Sequence, residues 1–191
     1  MKTTFAILSV LALAVVFAGP VGATTFTLQS YDITYRGNDP GLVLYTNDAL
    51  DTPYVFDLNP GQSTGLVPLL FVGTKETDID LSDAVPYEFD VTFYFSTPAM
   101  SNTSDGYSRG RLILQDGVVR WIDNPTSFTF GDGGLLTVYL TDVSFDTPGE
   151  AQVEASFTYV SAPVPEPGTL LFLGVGLAGL ALLQSRKRIK G

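Results

Sequence analysis

The sequence is 191 residues long, with 20 acidic and 10 basic side chains, a net charge of −10, no histidine and no cysteine. These absences exclude Ser-His-Asp and Cys-His nucleophile systems, thiolate-held haem or iron–sulfur groups, ordinary zinc sites and disulfides. The acidity argues against a nucleic-acid partner, because binding to phosphate backbones depends on clustered Lys and Arg. Carboxylate chemistry, binding and structural roles remain.

The N-terminus is typical of a secretory signal peptide. Lys2 precedes a largely apolar run over residues 5–17, Gly19-Pro20 then interrupts a helix, and Val21 and Ala23 are small residues placed before a cleavage point. We therefore predict a signal helix in residues 1–23 that is removed after Ala23. An uncleaved membrane anchor is the alternative, although the run is shorter than the roughly 20 residues that a spanning helix needs.

Residues 24–162 have a β pattern throughout and are predicted to form one exported domain. The clearest strand covers residues 87–95, where large apolar side chains alternate with polar ones. Further strands are predicted at 26–35, 42–46, 54–58, 66–72, 135–145 and 152–160, separated by turns rich in Gly and Pro. No segment has a helical period, so the expected fold is an all-β, antiparallel β-sandwich of jelly-roll type.

A hairpin is predicted over residues 111–122, with Asp116-Gly117 as its two-residue turn. That register pairs Leu114 with Val119 and Leu112 with Trp121 on a core face. It also brings together three of the domain's cations. These cations are Arg109, Arg111 and Arg120. We expect them to form either a local positive patch or salt bridges to nearby Asp residues.

An acidic segment lies between two apolar runs and contains Asp78, Asp80 and Asp83, with Glu76 close by. Carboxylate oxygens are the ligands that Ca²⁺ prefers, so these residues are weak candidates for a calcium site. The segment lacks the spacing and the glycine of an EF-hand, and a solvated acidic loop is the alternative. No other cofactor is expected.

The carboxylate and aromatic side chains of the exported domain suggest two further activities. A pair of carboxylates could cleave glycosides, but the acids are mostly Asp scattered in turns and no pair stands out, so a hydrolase remains a remote alternative and no enzyme is expected. Finding two carboxylates in one cleft, about 5 to 10 Å apart and beside an apolar neighbour, would favour the enzyme. Aromatic side chains could instead stack on sugar rings, or simply pack in the core; they are Tyr31, Tyr45, Tyr54, Tyr94, Tyr107 and Trp121.

The C-terminus is typical of a short membrane span. Residues 168–183 carry no charge, and such a segment is near the lower length limit for a transmembrane helix. A basic cluster follows it, formed by Arg186, Lys187, Arg188 and Lys190. Because basic residues stay on the cytoplasmic side, this orientation places residues 24 to about 165 outside.

Pro165-Glu166-Pro167 stands immediately before this span. The ordered set of motif, apolar helix and basic end, over residues 163–191, resembles a PEP-CTERM sorting signal. The resemblance implies a Gram-negative type bacterium, export through the inner membrane, and recognition of the three motif residues by an exosortase, a membrane-embedded processing enzyme. It further implies removal of the helix and delivery to the cell surface or to the extracellular polysaccharide matrix.

These observations together predict an exported structural protein of the cell surface or exopolysaccharide matrix, with a transient single-pass membrane intermediate. A Ca²⁺-dependent or aromatic-stacking carbohydrate-binding module is the alternative from a different functional class.

Overall fold

The computed structural model describes residues 22–36 and 41–162. The predicted signal helix, the C-terminal helix, the sorting motif and the basic cluster lie outside these residues, apart from Gly22 and Ala23. Ala23 is exposed and directly precedes the first strand. No helix within the described ranges is long and apolar enough to cross a membrane.

Eleven β-strands make up the described part of the chain. Their bounds are β1 Thr24–Tyr35, β2 Tyr45–Asp48, β3 Tyr54–Leu58, β4 Val67–Thr74, β5 Tyr87–Thr97, β6 Ala99–Arg111, β7 Asp116–Trp121, β8 Thr126–Phe130, β9 Gly134–Leu140, β10 Val143–Asp146 and β11 Gly149–Ser161.

The strands form two antiparallel sheets. The six-stranded sheet has the order β10-β7-β6-β5-β1-β3, and the five-stranded sheet has the order β2-β4-β11-β9-β8. A single cluster of buried apolar side chains draws on both sheets and fills the space between them. The predicted all-β, antiparallel fold is confirmed.

The alternation in β5 shows why these residues form strands. Phe89, Val91 and Phe93 are buried in the core, because successive side chains of a strand point to opposite faces of its sheet. Many of the aromatic residues meet across the two sheets; for example, the rings of Phe56 and Phe157 have centroids 4.9 Å apart. Asp90 belongs to the outward set of β5 but is also buried, which the alternation alone does not predict.

The two ends of the sandwich differ. Thr24 pairs with Leu58 and its Oγ1 donates a hydrogen bond to the Tyr159 hydroxyl at 3.3 Å, so the start of β1 and the end of β11 lie at the same end. At the opposite end, the β6–β7 turn contacts the loop of residues 75–86, where the Gly110 amide donates to the Asp83 carbonyl at 2.7 Å. We call this second end the hairpin end.

The predicted hairpin register is wrong. Arg111 pairs with Asp116 and Gly110 with Gly117, so the turn covers residues 112–115 and Asp116-Gly117 begins β7. Gln115 takes the left-handed conformation, with φ at 53°. Its side-chain amide holds the turn by donating to the Leu112 carbonyl at 2.7 Å.

The glycine of this hairpin has a packing role instead of a turn role. A Cβ at Gly117 would overlap the ring of Phe145, so the residue is needed for close approach inside the sheet. The predicted core pairs do not form, because Trp121 lies opposite Gly106 and Val119 opposite Ser108. The predicted inward residues of the turn are exposed instead; they are Leu112 and Leu114, next to Ile113 at 96% exposure.

Candidate functional site

A cluster of charged side chains lies on the outer face of the six-stranded sheet. Thr34 of β1 pairs with Asp90 of β5, and Asp90 pairs with Asp105 of β6, so three neighbouring strands meet here. Arg36 follows β1. Its Nε donates to Asp90 Oδ2 and its Nη2 donates to Asp105 Oδ1 at 3.1 Å. With Glu88 of β5, these residues form what we call the Asp90 cluster.

Asp90 is the buried member of this cluster. Its side chain is only 9% exposed, whereas the Arg36 side chain is half exposed. No hydrogen-bond donor in the described part of the chain reaches Asp90 Oδ1. Burial raises the pKa of Asp90, the hydrogen bond and charge of Arg36 counteract part of that rise, and the neighbouring Asp105 carboxyl raises it further.

The cluster lines a cavity of about 170 Å³, together with Gly106 and Ile122. The carboxyls of Asp90 and Asp105 therefore share one cleft with a third carboxyl, that of Glu88, and with an apolar neighbour, which is one part of the arrangement expected of a hydrolase. However, the Arg36 guanidinium holds one oxygen of Asp90 and one oxygen of Asp105. A general acid and a general base must differ in protonation state. A cation shared by both carboxyls does not provide that difference.

A second concave region lies beside the edge strand β2. It is a groove of about 330 Å³ lined by Val43, Leu44, Tyr45, Thr74, Lys75 and Glu76. Lys75 Nζ lies 5.9 Å from the centroid of the Tyr45 ring, within the range of a cation–π contact. The Tyr45 hydroxyl donates to Glu150 Oε2 at 3.3 Å. Burial, followed by the charge of Asp83, raises the pKa of Glu76.

The predicted calcium candidates lie in the loop of residues 75–86 and are bonded mainly to their own loop. Asp80 Oδ1 accepts hydrogen bonds from the Ser82 amide at 2.7 Å and from the Ser82 hydroxyl, and these bonds lower the pKa of Asp80. Asp83 Oδ2 accepts from the Asp80 amide at 2.8 Å, and Asp78 Oδ2 accepts from the Thr77 hydroxyl at 3.3 Å. Within residues 22–36 and 41–162, no three acidic side chains are placed to hold one metal ion.

The candidate stacking aromatics divide into two groups. Tyr31 and Tyr54 pack against the core, and Trp121 is buried with its Nε1 donating to the Thr141 carbonyl at 3.0 Å. Those rings cannot stack on a sugar. The rings left outside the core are Tyr45 in the groove, Tyr94 on the outer face of β5, and Tyr107 opposite Glu88.

The predicted positive patch does not form as a unit. Arg111 donates from Nε to Asp116 Oδ1 at 2.7 Å, with a second bond from Nη2 to Oδ2. Arg120 Nε lies 3.6 Å from Asp142 Oδ2. Salt bridges to Asp, the other expectation for these cations, are therefore formed by Arg111 and Arg120, while Arg109 is exposed.

Sequence reasoning missed the Asp90 cluster. Arg36 is separated from Asp90 by 54 positions and from Asp105 by 69. The one signal that could have indicated it is the acidic residue in the middle of a strongly alternating aromatic strand, since a carboxylate beside a packed sheet usually has a partner.

Comparison with known proteins gives one match. Residues 163–187 match the family model described as the PEP-CTERM protein-sorting motif. None of the curated proteins and none of the solved structures that were compared matches the chain. The match confirms the identification of the C-terminal tail, and it indicates an exported protein that associates transiently with the membrane, is processed by an exosortase-type enzyme and is then released at the surface.

Proposed function

We propose that this protein is a structural component of the cell surface or of the extracellular polysaccharide matrix. The observation that carries the proposal is the match of residues 163–187 to the sorting motif. In this proposal the signal peptide is removed after Ala23, residues 168–183 span the membrane, and the basic cluster after them holds the tail on the cytoplasmic side. Recognition of Pro165, Glu166 and Pro167 then leads to removal of the tail.

The geometry of the domain is compatible with such a route. Both β1 and β11 meet the predicted targeting segments at the same end of the sandwich. The 13-residue strand β11, at about 3.3 Å per residue, extends roughly 40 Å from there to the hairpin end. In this proposal the hairpin end is the end of the domain farthest from the attachment of the tail, and it is free to meet other molecules of the surface.

We also propose that the domain is not an enzyme. The chain has no His or Cys. Of the three carboxyls that line the cavity on the six-stranded sheet, Asp90 and Asp105 are both held by Arg36. A scaffold with a large aromatic core suits a structural role, because its stability does not depend on disulfides.

The test is the mass and location of the native protein in its own host. We expect a mature chain that starts after Ala23 and ends near residues 165–167, released from the membrane fraction. Glu166→Ala should keep the full tail and stay in the membrane, while Asp78→Ala, which removes an exposed acid from the loop at the hairpin end, should be processed normally. Wild-type protein that retains residues 186–191 in the membrane would contradict the proposal.

Carbohydrate binding is the second candidate function. It is favoured by the groove beside β2, whose lining includes both the Tyr45 ring and the Glu76 carboxyl. An aromatic ring can stack on a sugar ring, and a neighbouring carboxylate can accept hydrogen bonds from its hydroxyl groups. Because Asp80 and Asp83 are bonded within their loop, we expect such binding to be independent of calcium. Tyr45→Ala should abolish retention on the host exopolysaccharide, with and without a chelator, and Tyr139→Ala, an exposed tyrosine on β9, should not. Equal retention of both variants would exclude the groove.

A further inference from the structure

Five exposed apolar side chains lie on two loops at the hairpin end. Three belong to the β6–β7 turn, where Ile113 is 96% exposed, and two belong to the loop of residues 75–86, where Leu81 is 79% exposed. The other three are Leu112, Leu114 and Val85. Single exposed apolar residues are ordinary on protein surfaces, whereas several on adjoining loops indicate an interaction site. We call these five residues the apolar tip.

The two loops are bonded to each other, so the apolar tip belongs to one connected surface. The side-chain nitrogen of Gln115 donates to the Ile79 carbonyl at 3.1 Å, and its side-chain oxygen accepts from the Ile79 amide at 2.9 Å. The Gly110 amide adds a third bond, to the Asp83 carbonyl at 2.7 Å. Because Ile79 itself packs in the core, the pair of loops is anchored and already formed for a partner.

The two loops carry opposite charge. Residues 75–86 contain four acids and one lysine, for a net charge of −3, whereas residues 109–116 contain two arginines and one aspartate, for a net charge of +1. Arg109 is exposed and has no ion-pair partner within residues 22–36 and 41–162. Asp78 is also exposed, and its carboxylate accepts a bond from the adjacent Thr77 hydroxyl. The hairpin therefore offers a cation, and the neighbouring loop offers an anion.

A second copy of the chain matches both features. In a two-fold symmetric dimer the same patch is used by both copies, so the patch has to be complementary to itself. If the hairpin of one copy lies across the 75–86 loop of the other, the two apolar tips meet. Arg109 of each copy then faces Asp78 of the other copy, so the dimer contains two attractive charge contacts.

A lipid surface matches these features less well. The loop that carries Leu81 has a net charge of −3, and anionic headgroups would repel it. Insertion into lipid also makes no use of the opposite charges on the two loops.

The size of the apolar tip limits the strength of the dimer. Five such side chains expose on the order of a few hundred Å², which is less than the roughly 800 Å² that each partner buries in a standard interface. We therefore expect a weak, reversible dimer with a Kd of about 100 µM, which forms where the protein is concentrated.

We propose that the apolar tip, together with Arg109 and Asp78, is the interface of a weak two-fold symmetric dimer of this chain. The dimer does not require removal of the C-terminal tail, so it can form whether or not the sorting route operates as proposed.

The test is sedimentation equilibrium of the full chain in a nonionic detergent, at concentrations of about 10 to 500 µM. We expect the wild type to show a monomer–dimer equilibrium. Ile113→Asp should weaken the dimer about tenfold or more, because it places a charge within the apolar contact. Arg109→Glu and Asp78→Arg should each weaken it to a similar extent, because each places like charges at both symmetric contacts.

An equimolar mixture of Arg109→Glu and Asp78→Arg tests the two-fold arrangement directly. In a dimer of one copy of each variant, one contact keeps the wild-type pair and the other has the reversed pair. Both contacts are then attractive, so the mixture should dimerise about as tightly as the wild type.

Asp132→Arg is the matched control. Asp132 is exposed and lies in the turn that Ser161 Oγ reaches through the Gly133 carbonyl, at the end opposite the apolar tip, so this variant should dimerise as the wild type does. Absence of a dimer at about 500 µM would overturn the proposal. Wild-type association in the three single variants, as an association through the C-terminal tail would give, or no recovery in the mixture would overturn it too.

Discussion

Replacing Phe157 with alanine tests whether the two sheets are held together by the aromatic core. Phe157 is fully buried on β11. Its ring lies 4.9 Å from that of Phe56, 6.1 Å from that of Tyr54 and 6.1 Å from that of Phe95, measured between centroids. All three partners belong to the opposite sheet, so the substitution removes contacts between the sheets.

The expected loss follows from these contacts. Truncation of a buried Phe to Ala costs about 3 to 5 kcal/mol, and each ring pair adds roughly 0.5 to 1.5 kcal/mol beyond area burial. We therefore expect a loss near the upper limit, about 4 to 5 kcal/mol. With an unfolding entropy of about 2.1 cal/mol/K per residue, a domain of roughly 140 residues should lose about 15 °C in Tm.

Thermal and urea unfolding followed by circular dichroism measures this loss. Ile113→Ala is the control, because Ile113 is 96% exposed and its truncation should change the free energy of unfolding by less than about 0.5 kcal/mol. A Phe157→Ala protein that unfolds within about 1 kcal/mol of the control would refute the packing of β11 against β3 and β5.

Two further predictions concern the six-stranded sheet. Burial raises the pKa of Asp90 in the folded state above its ordinary 3.8. The stabilising contribution of Asp90 is therefore present below that pH and is lost as the pH rises through the folded-state pKa. Asp90→Asn should remove this part of the pH dependence, so that the urea midpoint declines less above pH 3.8 than in the wild type, and an unchanged pH profile would contradict the assignment. Gly117→Ala should destabilise the domain by about 1 to 3 kcal/mol because the new methyl group meets the Phe145 ring. Ile113→Ala, at a position that is 96% exposed, should be nearly neutral in the same melts.

Local alternation was sufficient to predict much of the sandwich. Residues 87–95 fall within β5, residues 54–58 coincide with β3, and the segment 152–160 falls within β11. In each case inward and outward side chains differ in polarity, so the two-residue period is visible in the sequence. The predicted strand at 135–145 proved to be two strands, because β9 ends at Leu140 and β10 begins at Val143.

The first part of β6 was not predicted, and the reason is packing. Its inward positions carry small or polar residues: Ser104 bonds to the Thr126 hydroxyl at 2.6 Å, Ser108 donates to the Leu42 carbonyl at 2.9 Å, and Gly106 leaves room for the Trp121 ring. Without apolar side chains at these positions, the strand has no readable period. The hairpin register was wrong for a related reason, since a glycine required by Phe145 was interpreted as a turn residue.

The sequence by itself determined the C-terminal sorting signal and the all-β fold. A sorting signal depends on a continuous run of residues, and strand alternation repeats over neighbouring residues, so both can be read locally. Tertiary structure alone decided the hairpin register, the exposed turn of residues 112–115 and the Asp90 cluster. The cluster joins residues up to 69 positions apart, and only strand pairing brings their charges together on one face of the sheet.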